Sequence, residues 1–279
     1  MARIRKRIMT WLILLVSLYV IYCGLLFFFQ TALIFPASMA GRPSGALPTV
    51  DTEVLVLPTE QGETVAWLVP APRNELDRPA PLAVFFHGNA ELIDHQQTII
   101  DLYHDFGVHV LMVEYRGYGQ SEGTPSEAHI VADSIALIED VLERDSVDRE
   151  RLVLHGRSIG GGLATQVARR TRPSALIVES TFTSVSGMAM RYGIPPFLVT
   201  SPLKSQEAFL ELDVPILIMH GKHDSIVPVS HARKLKAASR DATLLLFESD
   251  HNDLPSAPEA NAYRAAIRFL LEKSSVLPS

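Results

Sequence analysis

The chain has 279 residues, 47% apolar and 20% charged, with a net charge of −6. That composition excludes disordered, collagen-like and disulfide-stapled classes. One cysteine, Cys23, excludes an intrachain disulfide and a multi-cysteine zinc site. Arg3, Arg5, Lys6 and Arg7 all precede the first acid, Asp51; beyond them 21 cations face 31 acids, which argues against nucleic acid as a partner.

Trp11 to Phe29 are nineteen consecutive uncharged positions. As a helix they would span about 28 Å, close to the hydrocarbon thickness of a bilayer. The sequence therefore predicts a basic N-terminus over 1–10 and a transmembrane anchor over 11–30. The cations sit before the anchor, so the positive-inside rule places the N-terminus in the cytoplasm. The remainder then lies on the non-cytoplasmic side, periplasmic or extracellular if bacterial. A cleaved signal peptide competes, because Ser38-Met39-Ala40 offers small residues for cleavage. The apolar core is longer, however, than the roughly 7–15 residues usual for such signals.

Residues 31–50 read as a linker, with Gly, Pro and Ser over Gly41–Thr49. Glu53–Leu57 and Thr64–Val69 are short β-rich runs around a polar turn with Gln61-Gly62, which predicts edge strands or a hairpin. Six apolar runs follow: Leu82–Phe86, Val108–Val113, Leu152–Leu154, Ala175–Val178, Val214–Met219 and Thr243–Phe247. Near-continuous apolar strands belong in a parallel sheet covered on both faces. Helical signatures lie between them. Thr124-Pro125-Ser126-Glu127 reads as a cap with Thr124 as N-cap, before Val131, Ile135, Ile138 and Leu142 at helical spacing. Ser256-Ala257-Pro258-Glu259 repeats it before Ala260, Tyr263, Ile267 and Leu270. Over 51–279 this predicts an α/β domain with a mostly parallel central sheet and helices on both faces.

In such sheets, functional groups gather beyond the carboxyl ends of the strands. Leu152–Leu154 leads into His155-Gly156-Arg157-Ser158-Ile159-Gly160-Gly161-Gly162, which contains G-x-S-x-G, a nucleophile elbow with Ser158 at its tip. Val214–Met219 leads into His220-Gly221-Lys222-His223-Asp224, placing Asp224 where an orienting acid belongs. Thr243–Phe247 leads into Glu248-Ser249-Asp250-His251, placing His251 where the base belongs. The order Ser158, Asp224, His251 along the chain is that of the elbow-type hydrolases. Leu82–Phe86 leads into His87-Gly88-Asn89-Ala90-Glu91. An oxyanion needs backbone N–H donors, and Ile159 and Asn89 are the candidates, with His87 bracing the loop. The glycines at 156, 160 and 162 also fit a loose dinucleotide pattern with Glu179 as a ribose acid, but they lie mid-chain and no Tyr has Lys four residues later. His220, His223, Asp224, Asp250 and His251 could cluster on a metal, but there is no H-E-x-x-H and a serine mechanism already uses two of them. No cofactor and no metal is expected.

The segments F-F-H-G-N-A, Y-R-G-Y-G-Q-S-E-G-T-P-S-E (Tyr115 to Glu127), G-R-S-I-G-G and H-G-K-H-D-S-I-V-P together resemble the α/β-hydrolase superfamily. They look like its small membrane-anchored branch, which includes eukaryotic protein depalmitoylases. The resemblance covers roughly Thr49 to the C-terminus. It implies Ser158 as nucleophile, Asp224 as acid, His251 as base, and Asn89 and Ile159 as oxyanion donors. Glu114 stands where Asp often precedes Tyr-Arg-Gly-Tyr-Gly, a departure expected to be remote from the triad. The depalmitoylases carry an N-terminal cysteine cluster that this chain lacks, so that activity is not carried over.

A serine hydrolase acting on an acyl ester, thioester or lipid-like substrate follows. An acyltransferase on the same triad and a non-catalytic hydrolase-fold binding protein are the alternatives. A cap is expected over 181–213, carrying Met188, Met190, Tyr192, Ile194, Phe197 and Leu198. These residues could wall an acyl pocket or close the cap's own small core.

Overall fold

The first element, α1 (Ala2–Ile34), is one uninterrupted helix, long and apolar enough to cross a membrane. It starts in the basic stretch and runs into the segment read as a linker. Just beyond it, Phe35 and Ala40 are buried in the core of the domain. The computed structural model describes residues 2–49, 51–72, 78–254 and 259–278.

Eight strands follow: β1 (Glu53–Thr59), β2 (Gly62–Val69), β3 (Ala80–Phe86), β4 (His109–Val113), β5 (Val147–Arg157), β6 (Ala175–Glu179), β7 (Ile216–Gly221) and β8 (Ala242–Phe247). They form one sheet in the order β1-β2-β4-β3-β5-β6-β7-β8. β1 pairs antiparallel with β2, and β2 antiparallel with β4. Every other pairing is parallel. The two-residue side-chain period divides the core. Leu82, Val84 and Phe86 of β3 join one buried cluster, while Ala83 and Phe85 join the other.

Helices cover both clusters. On the first face lie α3 (Glu127–Leu142), α4 (Ile159–Thr171), α6 (Ser205–Glu211) and α7 (Ser230–Ala238), which contribute Leu137, Leu163, Phe209 and Leu235. On the second lie α2 (Gln97–Asp105) and α8 (Ala260–Lys273), which contribute Tyr103 and Ile267. The remaining helix, α5 (Val185–Met190), belongs to the segment between β6 and β7.

The start of β5 and the cap of α3 differ from those read in the sequence. β5 starts at Val147 rather than Leu152, because Val147 pairs with Ala80 at the rim. The residues between, Asp148 to Arg151, are polar and carry no apolar signal. α3 is capped by Ser126, whose Oγ accepts the His129 N–H at 3.1 Å. Thr124, expected in that role, instead donates its N–H to Gln61 Oε1 at 2.8 Å. The second capping signature, at Ser256–Pro258, lies outside the described residues.

Two charged groups tie elements together. Arg116, in the loop after β4, makes a two-pronged pair with Asp133 of α3 at 2.7 and 2.8 Å, and reaches Glu60 of the β1–β2 turn at 2.6 Å. Beneath the β5–α4 junction, Glu179 at the end of β6 is fully buried. It takes His155 Nε2 at 2.6 Å, Arg157 Nε at 2.9 Å and the Tyr263 hydroxyl of α8. His155 Nδ1 lies 3.0 Å from the Tyr103 hydroxyl of α2. Burial opposes ionisation of Glu179. Arg157 and His155, with the hydrogen bonds from His155 and Tyr263, outweigh it and lower its pKa from 4.5 to about 2.

Replacing Arg116 by Met leaves Asp133 buried without its guanidinium and is expected to cost about 3–5 kcal/mol. Arg149→Ala, which breaks an exposed pair with Glu143, should have no measurable effect. Chemical denaturation in detergent micelles checks both. For Glu179 the folded pKa is the depressed one, so its stabilisation is complete above the ordinary value of 4.5 and is lost as pH falls towards 2. Denaturation midpoints measured between pH 5 and 2 should therefore fall more steeply for the wild type than for Glu179→Gln.

Candidate active site

Ser158 joins β5 to α4 with φ 53° and ψ −116°, a left-handed conformation that costs a serine about 1–3 kcal/mol. The surroundings over-determine it. Its N–H donates to Glu179 O at 2.8 Å, and its carbonyl accepts from Thr181 Oγ1 at 2.8 Å and from the Gly161 N–H at 3.1 Å. The neighbouring glycines serve a different purpose from the one the motif implies. Gly156 and Gly160 have no positive φ; they are needed for close approach. A Cβ on Gly156 would lie 2.2 Å from Gly160 O, and one on Gly160 would lie 2.1 Å from Phe86 O. The turn is taken by Ser158, and the glycines let α4 start against β3.

The three residues read from the sequence as nucleophile, acid and base lie in one line of contacts. His251 Nε2 is 3.0 Å from Ser158 Oγ, and His251 Nδ1 is 2.8 Å from Asp224 Oδ2. His251 and Asp224 are buried. Asp224 Oδ1 accepts the N–H groups of Ile226 at 2.9 Å and Val227 at 2.6 Å. Burial opposes ionisation of Asp224, but hydrogen bonds from His220, His251 and Val227 hold it well below the usual carboxylate range. A carboxylate beside Nδ1 fixes the tautomer that leaves Nε2 free to take a proton from Oγ.

Asn89 and Ile159 line the same cavity as Ser158. Ile159 is the first residue of α4, where helix amides have no intrahelical acceptor. The neighbouring Gly88 N–H is already taken by Glu91 Oε2 at 2.9 Å. Glu91 Oε1 lies 3.5 Å from Arg157 Nη1, which ties the loop after β3 to the elbow. His87 braces that loop from below. It stacks on Tyr115 with ring centroids 3.9 Å apart, and its Nε2 lies 2.9 Å from Glu114 Oε1. Burial works against a charge on His87, but Glu114 outweighs it and raises its pKa. Glu114 has no direct contact with the triad residues among those described, but lies one contact from the loop carrying Asn89.

The residues of the dinucleotide and metal readings are engaged in local contacts. Glu179, a candidate ribose acid by sequence, spends its oxygens on His155, Arg157 and Tyr263. His223 pairs with Glu248 at 3.1 Å, and Asp250 accepts from Ser225 N and Oγ. Among the described residues no three His, Cys, Asp or Glu side chains converge as a metal-holding group. His220 was missed as a supporting residue. Its Nε2 lies 3.2 Å from Asp224 Oδ2 and 2.8 Å from Val227 O. The signal was a histidine four residues before the acid, at the end of an apolar strand. Glu91 and Arg157 were missed as well; an arginine inside the elbow motif implies a buried countercharge.

A cavity of about 520 Å³ reaches Ser158. Met188, Tyr192, Ile194 and Leu198 of the segment 181–213 line it, whereas Met190 and Phe197 face outward. α1 closes another side and is bonded to that segment along its length. Tyr19 Oη donates to Gly193 O at 2.7 Å and Tyr22 Oη to Tyr192 O at 3.0 Å. Gln30 Nε2 donates to Leu198 O at 3.1 Å, and Gln30 Oε1 accepts from Thr200 N and Oγ1 at 2.8 and 3.0 Å.

Comparison with known proteins agrees with this architecture. Residues 77–203 match the family model described as serine aminopeptidase, S33. The uncharacterized protein YfhR of Salmonella typhimurium is 31% identical over 222 residues, 73% of this chain and 76% of that one. The α/β hydrolase domain-containing protein WAV2 of Arabidopsis thaliana is 34% identical over 189 residues, 60% of this chain and 61% of that one. Among solved structures, the esterase Pf2001 of Pyrococcus furiosus superposes with a TM-score of 0.68 at 15% identity, covering 84% of this chain and 96% of that one. With a mostly parallel sheet, a serine elbow after β5 and relatives matched over most of their length, the chain belongs to the α/β-hydrolase superfamily.

Proposed function

We propose that the protein is a membrane-anchored serine hydrolase that cleaves an acyl ester or thioester through an acyl-enzyme on Ser158. The observation that carries this is the unbroken contact line from Asp224 through His251 to Ser158 Oγ at the edge of an apolar cavity. His251 Nε2 takes the Ser158 proton as Oγ bonds to the acyl carbon. The oxyanion forms against the N–H groups of Ile159 and Asn89, aided by the positive end of α4. The bond to the leaving alcohol or thiol then breaks, and that group takes the proton from His251. Water repeats the cycle, giving its proton to His251 as its oxygen bonds to the acyl carbon. The acid is then released and Ser158 is reprotonated.

Residues 11–30 serve as the span and 51–279 as the catalytic domain, with 181–213 as its cap. The four cations before the span support an orientation with the N-terminus in the cytoplasm and the site on the other side. Labelling with a fluorophosphonate tests the chemistry. Wild type should label, Ser158→Ala should not, and turnover of a short-chain ester should fall at least about 10³-fold in the variant. A membrane-impermeant probe on intact cells tests the side and should label the wild type. Turnover retained by Ser158→Ala would overturn the assignment.

A further inference from the structure

The cavity beside Ser158 is only partly a property of the hydrolase domain. α1 contributes Tyr22, Leu26, Phe27, Gln30, Leu33 and Ile34 to its wall. These positions recur on one face of the helix and extend for about 18 Å along its axis. The cap forms the facing wall. Apart from the catalytic end, the polar groups in the α1 wall are already committed. Gln30 gives its two N–H groups to Phe27 O and Leu198 O and fills its carbonyl with the two Thr200 donors. Its four bonding positions are thus used. The Tyr22 hydroxyl donates to the cap. Such a wall offers an occupant shape and apolar contact rather than a hydrogen bond.

The surroundings of this wall are apolar as well. Leu33 of the wall is still 61% exposed, so the groove is not sealed around α1. Met190 and Phe197 of the cap face outward and are exposed, and Tyr192 and Ile226 at the cavity wall are exposed as well. An apolar patch of this kind beside a membrane-length helix fits a lipid surface. The cavity, about 520 Å³, lies within the range of roughly 300–1,000 Å³ usual for enclosing a ligand of drug size.

We propose that α1 is a wall of the acyl-binding site, and that the substrate is a long-chain fatty acyl ester drawn sideways from the leaflet that surrounds α1. The acyl chain lies between α1 and the cap, with its carbonyl at Ser158. This rests on the serine-hydrolase assignment above, and the test separates the two.

The full-length protein in detergent micelles is assayed with p-nitrophenyl butyrate and p-nitrophenyl palmitate. Wild type should favour the palmitate in kcat/KM. Leu26→Trp and Leu33→Trp, which push an indole into the groove, should lower the palmitate-to-butyrate ratio at least tenfold. Ile21→Trp, on the opposite face of the same helix, should leave the ratio at the wild-type value. Leu26→Ala, which adds room without adding bulk, should not lower it, and it serves as the second variant if an indole prevents folding. Wild type that prefers butyrate, or Trp variants active with an unchanged ratio, would overturn the role of α1 while leaving the hydrolase assignment intact. Failure of wild type to turn over either ester, together with no fluorophosphonate labelling of Ser158, would overturn the hydrolase assignment itself.

Discussion

Glu179 is fully buried at the end of β6, yet its oxygens meet Arg157 and His155 of β5 and Tyr263 of α8. An uncompensated carboxylate at such a depth would be prohibitive. The price is met by neighbours that also define where β5 must end and α4 begin. The backbone carbonyl of the same residue accepts the Ser158 N–H. One residue thus fixes the elbow from two directions, and it supports a serine at φ 53° that local preference alone would not hold.

The loop after β3 is attached to this arrangement rather than merely adjacent to it. Arg157 lies near Glu91, and Glu91 takes the Gly88 N–H. On the other side His87 stacks on Tyr115, faces Glu114, and has its carbonyl bonded by the Tyr115 hydroxyl. The loop carrying Asn89 is consequently held by polar contacts at both ends, buried on the His87 side and partly buried on the Glu91 side. Electrostatic stabilisation of a transition state works through donors that need not reorganise, and this bracing supplies that condition for any N–H the loop presents.

Much of this was legible in the sequence. Central strands buried on both faces are written as apolar runs, so β3, β4, β6, β7 and β8 could be placed to within a few residues. The ends of the runs in β5, β7 and β8 then pointed to Ser158, Asp224 and His251. The start of β5 was not legible, because Asp148 to Arg151 form strand at a rim where nothing requires apolar side chains. The contact of Glu114 with His87 was not legible either, since it joins residues 27 positions apart in sequence through the fold of two strands. Least legible was the position of α1. A leucine facing lipid and a leucine facing a protein cavity obey the same hydropathy, so the face of α1 that carries Tyr19, Tyr22 and Gln30 did not stand out in the sequence.

That face has a consequence for how freely the first segment can be exchanged. A helix that merely fastens a domain to a bilayer is interchangeable with any other of equal length and greasiness. α1 is bonded to residues 192–200 through Tyr19, Tyr22 and Gln30 and contributes side chains to the cavity beside Ser158. If α1 anchors the protein as proposed, a chimera carrying a borrowed anchor would reach the same membrane with one side of that cavity rebuilt. On that proposal, address and fit are written on two faces of a single helix, and only the face turned away from the cavity is free to drift.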